Sequence, residues 1–221
     1  MKRRRSKART LAEIHDRLLA AFGPQHWWPA DTPTEVVIGA ILTQNTAWPN
    51  VERAIANLRE AGRLTWPALH RLSEPSLAEL IRPSGYFNVK AKRLKAFVDV
   101  VCNGYGGRLE GLLSGELDVV RNRLLAIHGV GPETADSILL YAGGRPTFVV
   151  DAYTRRVFSR HYLVQEDADY ETMRGLCQRS LRRDVGLYSE YHALIVRVGK
   201  MYCGPRARCD GCPLAAMPHR T

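Results

Sequence analysis

The 221-residue chain contains no apolar run of about eighteen residues, so no segment reads as a bilayer span. Alternation of apolar and polar residues never persists long enough to predict a strand. Internal repeats and low-complexity linkers are missing as well. The basic start, Met1-Lys2-Arg3-Arg4-Arg5-Ser6-Lys7, is not followed by an apolar signal core, so no secretory leader is expected. It reads as an arm that touches phosphates or as a merely solvated tail. Cysteine is sparse and odd in number, five in all, which argues against a disulfide framework.

What the chain does have is positive charge. Thirty-two Lys and Arg stand against 22 Asp and Glu, a formal net charge of +10. That predicts attraction to a polyanion, of which nucleic acid is the commonest, although ribosomal or membrane-surface binding would need the same charge. Hydrophobic residues make up 45% of the chain, enough for one domain or two small lobes with a real core. Helical periodicity runs over 8–22, 34–46, 49–62, 67–71, 75–82, 88–102, 116–127, 132–143, 152–160, 170–182 and 187–202. Breaks at Pro24, Trp27-Trp28-Pro29, Ser84-Gly85, Gly104 to Gly107 and Gly143-Gly144 complete the expectation of an all-α chain of many short helices.

The densest signal lies between Leu125 and Asp151. Gly129 and Gly131 flank Val130 between two apolar segments, which permits a tight turn with bare backbone N–H groups. Pro132 suits the first turn of a following helix that would bury Ala135, Ile138, Leu139 and Ala142. A helix start of this kind can hold a phosphate without reading sequence. By itself such a Gly-x-Gly corner is often mere packing. Here Val149-Val150-Asp151 follows about twenty residues later, and Asp151 can both cap the next helix and act as a fixed carboxylate.

Hairpin and aspartate together resemble the helix-hairpin-helix Gly/Pro-Asp superfamily of DNA glycosylases, which includes endonuclease III. Leu42-Thr43-Gln44-Asn45-Thr46 and Ser84-Gly85-Tyr86-Phe87-Asn88-Val89-Lys90-Ala91 match two further family segments in the same order, so the resemblance covers roughly residues 10 to 215. It implies an all-α, two-lobed fold. A basic arm and first helix (1–28) would join residues 145–202 in one lobe, around a six-helix lobe (29–144) carrying the hairpin. A cysteine-rich loop (203–221) would close the chain, with DNA in the cleft between the lobes. It also implies a base-excision repair enzyme that flips a damaged base and cleaves its N-glycosidic bond with Asp151. Gln44, Asn45, Tyr86 and Asn88 would contact the duplex, and Gly129, Val130 and Gly131 its backbone, with a monovalent cation at the hairpin. The partner would be double-stranded DNA with a damaged base or abasic site, met by a cytoplasmic, DNA-associated monomer.

One residue departs from endonuclease III. Two places after the second hairpin glycine that enzyme has the lysine whose amine forms a Schiff base; here Glu133 stands there, which puts lyase chemistry in doubt. Glu133 otherwise reads as favourable charge in a first helical turn. The departure resembles the monofunctional 3-methyladenine glycosylases of the endonuclease III type, as do Trp27-Trp28-Pro29, Trp48 after the Gln44 segment, and Arg82-Pro83-Ser84-Gly85-Tyr86-Phe87-Asn88 before Lys90-Ala91-Lys92-Arg93-Leu94. Trp27, Trp28 and Trp48 would stack on an electron-poor purine, with Glu133 and Lys200 in the same pocket; each also reads as an ordinary core or surface residue. A bifunctional enzyme for oxidised pyrimidines and a non-catalytic damage-binding protein are the alternatives.

The C-terminal Cys203, Cys209 and Cys212 have metal-ligand spacing, C-x5-C-x2-C. In the family a fourth cysteine completes a 4Fe-4S site; here Pro218 takes its place and His219 follows. A cluster completed by His219 or an outside ligand, a Cys3His zinc site and a metal-free remnant all fit. Arg206, Arg208 and the retained Cys-x2-Cys-Pro favour the cluster. Cys102 and Cys177 read as small buried hydrophobes.

Overall fold

A computed structural model describes residues 6–27 and 30–220 of the protein; Trp28 and Pro29 lie outside the described residues. Among those described there are twelve α-helices and no strand. The local reasons lie in the sequence. Ser6, Thr32, Thr65, Ser73, Asp151, Asp169 and Asp184 each cap a helix by accepting a backbone N–H three residues on, and prolines occupy the first turn of five helices.

The chain divides into two units, one comprising Met1–Trp27 with Pro146–Thr221 and the other Trp28–Arg145. The second unit is built around α2 (Pro33–Leu42), whose residues from Glu35 to Leu42 are all buried. A helix that is apolar on every side belongs in the middle of a core. Against it pack α3 (Trp48–Glu60), α6 (Phe87–Asp99) and α9 (Pro132–Ser137), the last continuing through a wider π turn at Ile138–Ala142, while α4 (Trp66–Arg71), α5 (Glu74–Leu80), α7 (Leu109–Leu112) and α8 (Leu117–Leu125) complete the unit. A 3-10 turn, Arg82–Ser84, leads into α6. Helix α7 is a single turn, too short for periodicity to reveal.

Helix α2 also ends four residues earlier than its periodicity predicts. The Leu42 carbonyl, which would accept the Thr46 amide in a continuing helix, instead accepts the Lys90 ammonium at 2.8 Å, and the Thr46 amide turns to the Thr43 carbonyl. Between α8 and α9, Arg121 grips Asp136 through two N–H···O bonds of 2.9 and 3.0 Å, and both side chains are buried. Removing one partner from such a pair costs about 3–5 kcal/mol, because it strands a buried charge.

The first unit packs α1 (Lys7–Phe22) against α11 (Tyr170–Ser180) and α12 (Val185–Met201), with α10 (Ala152–Arg160) also on α12. Leu11, Ile14 and Leu18, one stripe of α1, are fully buried. Tyr191 of α12, buried among them, donates its hydroxyl to the Leu11 carbonyl at 2.8 Å. No described helix is long and apolar enough to cross a membrane.

Candidate active site

Asp151 stands at the end of a buried extended stretch. Phe148 is fully buried and meets Tyr188, Tyr191 and Phe158 at ring-centroid distances of 5.5, 5.8 and 6.4 Å, while Val149 and Val150 are nearly as enclosed. That anchoring fixes the backbone entering α10, which Asp151 caps through a 2.7 Å bond from the Thr154 amide to its Oδ1. Its other oxygen, Oδ2, lies 3.5 Å from Nε2 of His192 on α12, and the carboxylate side chain is 12% exposed. Burial by itself pushes this carboxyl up; the bond and charge of His192 and the bonds from Thr154 outweigh burial and hold it below the ordinary aspartate value. The result is an enclosed carboxylate that stays ionised.

In the same unit Lys200, in the last turn of α12, holds its ammonium 5.8 Å above the Trp27 ring, within cation–π range. Trp28 lies outside the described residues. In the other unit Trp48 is partly buried and donates its indole N–H to Glu52 at 2.9 Å. Glu133 is exposed in the first turn of α9.

The hairpin forms as its glycines require. Gly129 has φ +84°, Val130 is buried, and Gly131 caps α9 with ordinary extended backbone. A methyl group on Gly129 would come within 2.1 Å of the Arg93 side chain, whereas one on Gly131 would meet nothing within 4 Å. Gln44 is tied to this hairpin. Its Nε2 donates to the Gly129 carbonyl at 3.1 Å and to Thr134 Oγ1 at 3.0 Å, while its Oε1 accepts from Arg93. Asn45 and Tyr86 both take left-handed backbone, at φ +54° and +47°. Tyr86 is 74% exposed, and Asn45 and Asn88 are exposed too.

Lys90 underlies both of these loops. Only 1% exposed, it donates to the carbonyls of Leu42 at 2.8 Å and Ser84 at 2.7 Å, the residues at which the Gln44 and Tyr86 loops begin. Burial, aided by the charge of Arg93, lowers the pKa of its ammonium to about 8.

At the C-terminus, Cys203, Cys209 and Cys212 line one cavity together with Arg160, His161 and His219. Arg160 donates to Cys203 Sγ at 3.1 Å and to the carbonyls of Gly204 and Pro205. Burial, with Cys203 and Cys209 close by, raises the pKa of the Cys212 thiol. Among the described residues no three Cys, His, Asp or Glu side chains converge on a point that would hold a single ion. A tetrahedral zinc site needs all four donors within about 2.0–2.3 Å of one point. Three thiols and two imidazoles lining one cavity are donors of the kind that hold iron–sulfur groups.

Sequence reasoning missed His192, Lys90 and His161. A histidine amid Tyr191, Ala193, Leu194 and Ile195 is a polar group on a helix otherwise bound for the core, and that was the available signal. Lys90 gave none, since Lys-Ala-Lys-Arg reads as a solvated face.

The sequence profile described as HhH-GPD superfamily base excision DNA repair protein matches residues 38–183. A Methanocaldococcus jannaschii protein, provisionally named a DNA repair glycosylase, is 47% identical over 211 residues, 95% of this chain and 96% of its own. The fold is similar to that of an H. pylori 3-methyladenine DNA glycosylase bound to 1,N6-ethenoadenine, with TM-score 0.75, 27% identity, and coverage of 89% of this chain and 98% of that one. It is also similar to endonuclease III in a non-covalent DNA complex, with TM-score 0.83, 21% identity, and coverage of 97% and 96%. With the hairpin and capping aspartate in place, these matches carry one conclusion: the chain belongs to the HhH-GPD superfamily of base excision DNA repair proteins.

Proposed function

We propose that this protein is a monofunctional DNA N-glycosylase that releases alkylated purines from duplex DNA, with Asp151 as its catalytic carboxylate. The observation that carries this reading is a largely enclosed carboxylate kept ionised by His192 and Thr154, in a chain with an acid, Glu133, where a lyase needs an amine. In the reaction the C1′–N bond breaks and its electron pair leaves with the base. The sugar becomes oxocarbenium-like, and the fixed charge of Asp151 stabilises it and orients a water. The water oxygen bonds to C1′ and gives its proton to the Asp151 carboxylate, which returns it to solvent, leaving an abasic site in an uncut strand. A purine alkylated on its ring carries positive charge and departs neutral, so no second group need protonate it. That suits a site with one ionised carboxylate.

Trp27 supports the substrate class, because the ring that attracts the Lys200 ammonium attracts a cationic purine by the same force. The resemblance assigns base recognition also to Trp28, Trp48, Glu133 and Lys200. Gly129, Val130 and Gly131 hold the backbone; Gln44 and Tyr86 occupy the duplex beside the flipped nucleotide, and Asn45 and Asn88 contact the DNA. The protein acts as a monomer. Cys203, Cys209 and Cys212 would hold a 4Fe-4S cluster, a group that crosslinks the loop and can carry one electron.

Duplexes containing 3-methyladenine or thymine glycol test the proposal. Strand breaks that appear on the alkylated duplex only after alkali, and that vanish with Asp151→Asn, are the expected result. Breaks without alkali on the oxidised duplex, with a borohydride-trapped adduct, would replace it with a bifunctional lyase. Damage-specific binding with no turnover would replace it with a non-catalytic protein.

A further inference from the structure

We infer that His219 supplies the fourth ligand of an iron–sulfur cluster held by Cys203, Cys209 and Cys212, through its Nε2; this rests on the cluster assigned to those cysteines above. The position where a fourth cysteine is expected holds Pro218, which has no side-chain donor. Two imidazoles line the same cavity as the three thiols, His161 and His219. His219 Nδ1 lies 2.8 Å from the Met217 carbonyl, which can only accept, so in the neutral ring Nδ1 carries the proton and Nε2 keeps its lone pair. Metal-bound histidines are commonly arranged this way, with the second ring nitrogen spent on a carbonyl that sets tautomer and orientation.

The backbone around His219 is clamped on both sides to the end of α10. His161 Nδ1 meets the Pro218 carbonyl at 3.2 Å, and the Arg220 amide donates to the Arg160 carbonyl at 2.9 Å. His161 therefore holds the segment that presents His219, and Arg160 offsets thiolate charge at Cys203. Two histidines bound to one iron are already compatible with iron–sulfur chemistry, and histidine for cysteine raises the reduction potential.

The full-length protein, isolated or reconstituted with iron and sulfide without oxygen, provides the test. Iron and acid-labile sulfide are counted, and the reduced cluster is examined by pulsed electron paramagnetic resonance for coupling to nitrogen. The expected result is equal iron and sulfide, a nitrogen coupling that disappears in His219→Cys and persists in His161→Gln, and a lower reduction potential in His219→Cys. A cluster without nitrogen coupling, or one whose coupling disappears only in His161→Gln, would overturn the ligand assignment while leaving the cluster intact. Stoichiometric zinc, or no metal and no sulfide, would overturn the cluster as well. Neither result depends on glycosylase turnover, so the repair reading stands or falls separately.

Discussion

At Asp151 two partners decide the protonation state, and they can be separated. Burial raises its pKa, while the His192 contact and the Thr154 amide lower it to below the ordinary value. A carboxyl depressed in the folded state contributes stability above its unfolded pKa of about 3.9 and loses it as pH falls through the lower folded value. Under the proposed mechanism, wild-type turnover therefore stays level down to about pH 5, where Asp151 remains ionised. In His192→Leu the lowering contact is gone and burial is left, so the acid limb of the pH–rate profile should move upward. Single-turnover rates at pH 5 and 7.5 check this. An unchanged ratio would show that His192 does not govern the carboxylate.

Among elements, the two glycines of the hairpin carry separable demands. Gly129 needs positive φ and leaves no room for a methyl beside Arg93, so Gly129→Ala should be destabilised in urea unfolding by about 1–3 kcal/mol. Gly131 has unstrained backbone and open space, so Gly131→Ala should fold almost as stably as wild type. If its bareness serves a phosphate, the same variant should bind duplex DNA more weakly, as a titration at fixed salt would reveal.

The two loops joined through Lys90 make a further prediction. Its folded pKa of about 8 lies below the ordinary value near 10.4, so between those pH values the unfolded chain binds a proton that the folded chain does not. Stability contributed by Lys90 therefore rises across that window. Buried Tyr191 and Cys177, both raised, titrate in the opposite sense, so the comparison must be with Lys90→Met. Wild type should gain on that variant between pH 7.5 and 9.5, and Lys90→Met should be the less stable protein because two buried carbonyls lose their donor.

For the molecule as a whole, the charge of +10 sets how binding responds to salt. Each neutralised phosphate contributes about −0.9 to the slope of log affinity against log salt concentration. With six or so contacts, undamaged duplex should be held roughly a thousandfold less tightly at 200 mM than at 50 mM salt. A slope near zero would mean that the excess charge does not meet the backbone.

The amino-acid sequence by itself determined most of the helices, though not the single turn of α7 or the early end of α2, since caps, first-turn prolines and 3.6-residue periodicity act within a few neighbouring residues. It also determined the hairpin and Asp151, because a glycine pair and a capping acid declare themselves locally. Only the tertiary structure decided what these groups touch. Gln44 meets Gly129 across 85 positions, Lys90 takes a carbonyl 48 positions away, and His161 reaches the segment holding His219 across 57. Such pairs follow no sequence period. They arise because burial leaves each polar group to find a partner wherever packing has placed one.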